Sequence, residues 1–417
     1  MAVRRITFRL YPKPIVAKKL LEARKMHQLL YNAAISNRKT QYEKFCHAVS
    51  YLEQQNSLPE FKQVWPEYKE LGSQTLQATL KRVDLAYQSF FKGLRGKPKF
   101  KSIRHYSGWT YPATSGWKVQ TTGDNGYLEL TDLKVSIQMR GKARTWGKPT
   151  TCTIVYRNGL WYASITVDCI PVRETGSGAV GLDFGTYHAV AMSDGTRHEN
   201  PRFLANSQEK IRSASKQKRR KRAPNFKKKV KGSKRWRKAT KRISKFQRKV
   251  TNQRQDWTHK VAAQIVSSNS MVATESLNLK GMTRKAKKGS KRKAQKTGLN
   301  RSMLDAGIGN LTKAIEYKLQ EAGGFLVKVP TKTVKPSQTC PDCGHQRKKE
   351  LSERVHNCSE CGYTDDRDVA AAKVMLSWAL GTSVLNRGSC ASTSTPQATG
   401  GWKQVWEMKR HKPSVQR

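Results

Sequence analysis

Apolar and polar side chains alternate from Ile6 to Tyr11 (ITFRLY), the period of a half-buried strand, and Pro12 and Pro14 close it. A helical period follows. Leu20, Leu21, Leu29, Leu30, Ala33 and Ala34 mark one amphipathic helix, and Leu76, Leu80, Val83, Ala86, Tyr87 and Phe90 mark another. Between them, Tyr51 to Tyr68 is less regular, and GLRGKPKFK at 93–101 reads as a basic Gly/Pro linker. From Trp109 to Asp168 the period returns to two. Its clearest hairpin is TCTIVY, the turn pair Asn158-Gly159, and LWYASITV. An early strand joining these later ones around a helical insertion predicts a small β-barrel from residues 1–11 and 101–172, with a helical lobe at 12–100.

Glu174 to Gly178 marks a boundary. AVGLDFG and YHAVAMSDG then read as adjacent strands, with Asp194-Gly195 turning at the end of the second. Pro224 and Gly232 split a basic helical insertion, 206–268, into two halves. The second half carries Ile243, Phe246, Val250, Trp257, Val261 and Ile265 at helical spacing. MVATES is a buried strand ending at Glu275, Lys280 to Arg301 a basic loop, Leu304 to Ala322 a helix, and GGFLVKV a last strand. The order strand, strand, helix, strand, helix, strand, final helix suits a ribonuclease H-like α/β domain over 178–331 and 367–380. A small metal-bound module at 332–366 interrupts it. Beyond 380 the composition falls to Ser, Thr, Gly and basic residues, which predicts a disordered tail at 381–417.

Charge narrows the partners. Lysine and arginine number 81 against 29 acids, a net +52 over 417 residues. Such a chain repels itself unless a polyanion neutralises it, and nucleic acid is the default polyanion. From Ile211 to Lys249 about half the residues are basic, and no acid occurs between Glu209 and Asp256. Lys218, Arg219, Arg220, Lys221 and Arg222, with Lys227, Lys228 and Lys229, are the candidate phosphate contacts. Trp236 and Phe226 either stack on bases or pack in the core. The sequence holds no apolar run of bilayer length and no leader at Met1, so a cytosolic protein with reduced thiols and no membrane partner is expected.

Two C-x2-C knuckles, Cys340/Cys343 and Cys358/Cys361, stand fourteen residues apart, the spacing of a four-thiolate site for one structural Zn2+. Each is followed by a glycine, Gly344 or Gly362, which lets the backbone turn so that both sulfurs face one ion. Cys46, Cys152, Cys169 and Cys390 lack ligand spacing. Three acids stand at the ends of core elements: Asp183, Glu275 and Asp368. Brought together, they repel unless divalent cations lie between them, and hard oxygen donors favour Mg2+ or Mn2+. Two such ions about 4 Å apart suit phosphodiester hydrolysis. Asp365 and Asp366 are neighbouring rivals, better suited to a loop or to the edge of the cysteine module.

GLDFG, the Glu275-Ser276 pair, CPDCG, CSECG and RDVAAA, in this order, resemble the transposon-encoded TnpB proteins, relatives of miniature type V CRISPR effectors. RLYP, YNAAI, SQTLQ, PKFKS and QDWTHK are similar too, so the likeness runs from about Val3 to Leu376. The resemblance implies an RNA-guided DNA endonuclease with a RuvC-type site at Asp183, Glu275 and Asp368. It also implies a zinc ribbon and a wedge barrel carrying a recognition lobe. The implied partners are a guide RNA, from the transposon end or a CRISPR-like locus, double-stranded target DNA, and a transposase encoded nearby. A short motif beside the target would be read by the lobe and wedge, with Gln77 and Tyr51 at matching positions. One departure is Ala370, where the family usually has Asn. Two rivals stay open: an RNA-guided binder or CRISPR effector with weak cleavage, and a strand-transferring transposase that needs no RNA.

Overall fold

A computed structural model of the chain describes residues 2–170, 173–225, 230–287, 289, 291–350 and 352–382. Phe226, Lys227, Lys228 and Lys229, and the tail from 383 onward with Cys390, lie outside the described residues. The chain separates into two compact units, Met1–Arg173 and Glu174–Arg417. No described helix is long and apolar enough to cross a membrane.

The first unit runs β1 (Ala2–Tyr11), α1 (Pro14–Phe45), α2 (Tyr51–Asn56), α3 (Leu58–Val64), α4 (Ser73–Phe91), β2 (Gly108–Tyr111), β3 (Trp117–Gln120), β4 (Gly126–Leu130), β5 (Val135–Arg140), β6 (Lys148–Arg157) and β7 (Leu160–Cys169). Its sheet has the order β2-β6-β7-β1-β5-β4-β3, with every neighbour antiparallel. The first strand therefore lies between strands made more than a hundred residues later, and the helices are an insertion. Phe8 and Leu10 of β1 point into a core shared with Leu20, Leu76, Leu80 and Val83 of the helices, while Thr7 and Arg9 face out. The sheet is curled but open. Its edges, β2 and β3, are four-residue strands, and no ladder joins them among the described residues, where the alternation alone suggests a closed barrel. The irregular stretch after α1 is short helices, the first opened by a capping box between Ser50 and Glu53.

The second unit runs β8 (Gly178–Asp183), β9 (His188–Met192), β10 (Arg197–Glu199), α5 (Phe203–Arg219), α6 (Lys234–Ser268), β11 (Asn269–Glu275), α7 (Leu279–Met282), α8 (Lys293–Ala306), α9 (Ile308–Glu321), β12 (Phe325–Val329), α10 (Thr331–Val334), β13 (Val355–Asn357), β14 (Thr364–Asp366) and α11 (Arg367–Ala379). Its main sheet has the order β10-β9-β8-β11-β12. β11 runs parallel to both β8 and β12, while β9 and β10 form an antiparallel meander after β8. Side chains alternate across it. Val180, Leu182 and Val272 face α6 and α9 through Val261, Ile265, Leu311 and Ile315. Ala273 and Val329 face the opposite way, onto Val374 and Met375 of α11.

Two expectations change here. The basic segment after Lys280 is not all loop: α7 and the start of α8 lie within it. Lys, Arg and Gln are good helix formers, and the Asn300 side chain donates to the carbonyls of Thr283 and Arg284 at 3.0 and 3.1 Å. The single helix expected over 304–322 is two, because Gly307, at φ +70°, ends α8 in the left-handed region.

Candidate active site and metal centre

The period of two decides where the acids go. On β8, Val180 and Leu182 face α6 and α9, so Gly181 and Asp183 face α11. On β11, Val272 faces one way, and Ala273 and Glu275 the other. β8 and β11 are parallel neighbours, with Leu182 opposite Thr274, so Asp183 and Glu275 leave the same end of the sheet on the same face. α11 packs across that face. A Cβ on Gly181 would come within 1.9 Å of the Ala372 carbonyl oxygen, so the missing side chain is what lets the helix down onto the strand. Asp368 precedes Ala372 by four residues, one helical turn, and so points from the same side of α11.

The three carboxylates sense one another. Asp183 shares a hydrogen bond with Glu275. Burial, then that bond, then the charges of Glu275 and Asp368, push its carboxyl well above the usual range, against the opposing pull of Arg367. Part of Asp183 nonetheless remains accessible. Asp366 caps α11, accepting from the N–H groups of Asp368 and Val369 at 2.9 and 3.2 Å. The Arg367 guanidinium lies 3.3 Å from Asp368 Oδ1 and donates to the Glu353 carbonyl at 2.9 Å.

The rival acids have other partners. Asp365 accepts from Lys373 Nζ at 2.8 Å and Tyr363 Oη at 2.7 Å. Burial works against its charge, but these bonds still hold its carboxyl below the usual range. Asp366 pairs with Arg197 at 3.4 Å. Both lie in β14, and they tie the cysteine module to α11 and β10. Ala370 is 1 % exposed, so an Asn there would have to bury its amide.

In the cysteine module, Cys340, Cys343, Cys358 and Cys361 bring their sulfurs within 4.8 Å of one another. Cys340 and Cys361 are 3.7 Å apart and Cys343 and Cys358 3.5 Å, close to the roughly 3.8 Å edge of a tetrahedron with Zn–S of about 2.3 Å. The two knuckles repeat one design. Gly344 donates to Cys340 O and Gly362 to Cys358 O, each at 3.1 Å, and both glycines are left-handed, at φ +78° and +73°. Backbone N–H groups, that of Cys361 first, bring the Cys358 thiol down to about 6, so a thiolate is readily available there. The donor set and its spacing fit one zinc.

In the first unit, Tyr51 and Gln77 line one groove of about 550 Å3 together with Arg5, Lys81 and Arg82. Lys81 Nζ sits 4.6 Å from the centroid of the Tyr51 ring. In the second unit, Lys218 and Arg219 end α5, and Arg220, Lys221 and Arg222 follow it. Lys218 Nζ lies 5.3 Å from the Trp236 ring, which is half-buried. Sequence reasoning missed Arg367 and the groove cations Arg5, Lys81 and Arg82. Adjacency to Asp368 was a signal for the first; nothing local in the sequence marks the other three.

A family model described as "Probable transposase" (OrfB_IS605) matches residues 162–286, and one described as "Cas12f1-like, TNB domain" matches residues 309–375. The chain is 29 % identical over 379 residues to "Putative RNA-guided DNA endonuclease InsQ" of Escherichia coli (strain K12), covering 88 % of this chain and 90 % of that protein. It is 27 % identical over 392 residues to "Putative RNA-guided DNA endonuclease" of Streptomyces pristinaespiralis, covering 92 % and 91 %. Among solved structures, the fold is similar to that of the protein in a Cas12f1–sgRNA–target DNA complex, with a TM-score of 0.55, 14 % identity, and 87 % and 83 % of the two chains covered. The two family models together span Asp183, Glu275, the four cysteines and Asp368, and over most of its length the chain is similar to the TnpB-type relatives.

Proposed function

We propose that this protein is an RNA-guided DNA endonuclease of a transposable element. In this reading Asp183, Glu275 and Asp368 form a RuvC-like site for two Mg2+ or Mn2+ ions, and the four cysteines hold one structural Zn2+. The observation that carries it is the hydrogen-bonded pair of Asp183 and Glu275, facing Asp368 at the end of a parallel strand pair. Three acids on one face, with Arg367 as the cation beside them, form a hard-oxygen donor set with negative charge to spare. When bound, divalent ions supply Lewis-acid activation of water and neutralise charge at the scissile phosphodiester.

The residues of the chain do the rest. Asp183 and Glu275 are fixed by the sheet, and Asp368 by the Asp366 cap and by the module clamped through Lys373 to Asp365. The four cysteines, when they hold zinc, would close that module and so keep the entry to α11 in place. The surplus of positive charge supports binding of guide RNA and of the heteroduplex it forms with target DNA, with Lys218 to Arg222 and Lys227 to Lys229 on phosphates. Base pairing would carry most of the sequence specificity. The wedge sheet and helical lobe would read a short adjacent motif, with Gln77 and Tyr51 in the groove between helices and sheet of the first unit. The names of the relatives support the same activity.

The test is expression with the native flanking DNA, sequencing of the RNA that co-purifies, and plasmid cleavage by wild type and Asp183→Ala. A discrete RNA with a constant scaffold and a variable end, and Mg2+-dependent cuts lost in Asp183→Ala, are expected. Equal signal from both proteins would remove the nuclease reading. Joined DNA products made without RNA would point instead to a strand-transferring transposase.

A further inference from the structure

The loop between β8 and β9, which leaves Asp183, exposes an aromatic side chain. Tyr187 follows Asp183 by four residues and is 57 % exposed. Its loop is pinned on both sides. The buried Asn200 side chain donates to the Thr186 carbonyl at 2.9 Å, and His188 Nδ1 lies 2.8 Å from the Glu199 carboxylate. The His188 ring packs edge-on against Tyr187, with centroids 4.6 Å apart. The exposed Arg354 guanidinium sits 5.6 Å from the centre of the same ring. The Arg354 carbonyl accepts from the Arg367 N–H at 2.9 Å, and Arg367 contacts Asp368. Ring and guanidinium thus join the loop that leaves Asp183 to the segment that enters Asp368.

We infer that Tyr187 and Arg354 form a seat for one nucleotide of a single DNA strand beside the phosphodiester being cut, with the base on the phenol ring and the adjoining phosphate on the guanidinium. This rests on the nuclease reading of the three acids. The ring has Arg354 over it and His188 perpendicular to it, yet it stays open to solvent and buries no core of its own. It offers a flat face at little ordering cost. Every base has a π-face, so stacking there is sequence-tolerant, and a guanidinium matches a phosphate with paired donors. Because the seat shares its loop with Asp183, it sets which phosphate comes to rest on the acids.

The test uses the full chain co-purified with its RNA, and two readouts. In the first, single-stranded oligodeoxythymidine carrying 5-iododeoxyuridine is irradiated on the protein and the crosslinked peptide is identified by mass spectrometry. In the second, KM, kcat and cut positions are measured for wild type, Tyr187→Phe and Tyr187→Ala. The crosslink is expected at Tyr187. Tyr187→Phe keeps wild-type kinetics. Tyr187→Ala raises KM about tenfold, the effect of losing one stacked base, and spreads the cuts over neighbouring phosphates at an unchanged melting temperature. Crosslinks only elsewhere, Tyr187→Ala cutting the same phosphate at wild-type KM, or Phe failing as badly as Ala would each overturn the seat. A wild type that crosslinks at Tyr187 but cuts no DNA leaves the strand seat standing and removes the nuclease reading alone.

Discussion

Gly181 lies directly beneath the carbonyl oxygen of Ala372, so close that a Cβ on the glycine would come within 1.9 Å of that oxygen and 3.1 Å of the Leu376 nitrogen. The contact is between backbone and backbone, and no rotamer can relieve it. It fixes how closely α11 approaches β8, and through that spacing the distance between Asp183 and Asp368.

Gly181→Ala is therefore expected to do more than overpack a core. The helix must lift as a body, which costs at least about 2–3 kcal/mol and separates the acids. Thermal denaturation should show a fall of several degrees, and Mg2+-dependent cleavage should fall with it. A variant with wild-type melting and activity would show that α11 shifts freely over the strand.

The cysteine module should behave as a metal-dependent fold. Among its described residues the strand pairing is limited to two three-residue strands and the Thr339–Gln346 bridge, so backbone pairing alone does little to hold it together. Cys343→Ser and Cys358→Ser are each expected to lower zinc from about one ion per chain to near none by atomic emission, since structural zinc carries most of the folding free energy of so small a module. Loss of zinc should also loosen Asp368, because Asp366 of the module caps it and Arg367 beside it is bonded to the module's Glu353 carbonyl. Unchanged zinc content in both variants would reject the site.

Much of this was legible in advance, for identifiable reasons. A strand declares itself by alternation, so ITFRLY and the Asn158-Gly159 hairpin could be read directly. A knuckle declares itself by spacing, so all four sulfurs could be named. That the three acids would meet was legible because each ends a core element. The seating of Gly181 against Ala372 was not, because it joins residues far apart in sequence and depends on helix depth. β10 was missed because a three-residue edge strand, RHE, has too little alternation to register. The break at Gly307 was overlooked because a lone glycine within a helical pattern is often tolerated. The Arg354 and Tyr187 pair had no sequence signal at all: its two members meet only in the fold.

Lys218 to Arg222 should grip RNA through charge rather than shape. Replacing all five with Gln is expected to weaken RNA binding and to lower the slope of log K against log salt, by about 0.7–0.9 for each lost phosphate contact. α5 ends within this stretch, and its tie to the α6 cap is the backbone bond from the Ser233 N–H to the Arg222 carbonyl at 3.1 Å, which Gln keeps, so melting should change little. An unchanged slope would place these charges on a surface that RNA does not touch.

Asp183 and His27 should give the stability opposite pH dependences. Asp183 is raised in the folded, metal-free protein. Its contribution is fully present below the unfolded carboxylate value near 4 and is lost as pH rises through the folded value. Without added Mg2+, the melting temperature should therefore fall as pH climbs from about 4. Asp183→Asn, or added Mg2+, should flatten that limb. His27 acts in reverse. It is buried, stacked 5.4 Å from Trp109 and bonded to Thr79 at 2.9 Å; burial, then the charge of Arg82, holds it down to about 3. A depressed histidine contributes stability above its unfolded value and loses it as pH falls. The first unit should therefore weaken below about pH 6.5, by up to roughly 1.4 kcal/mol per pH unit. His27→Gln should melt lower than wild type at neutral pH yet lose the acid slope, because only the slope reports the proton. If the acid limb is equally steep in His27→Gln, the protonation that opens the first unit lies elsewhere.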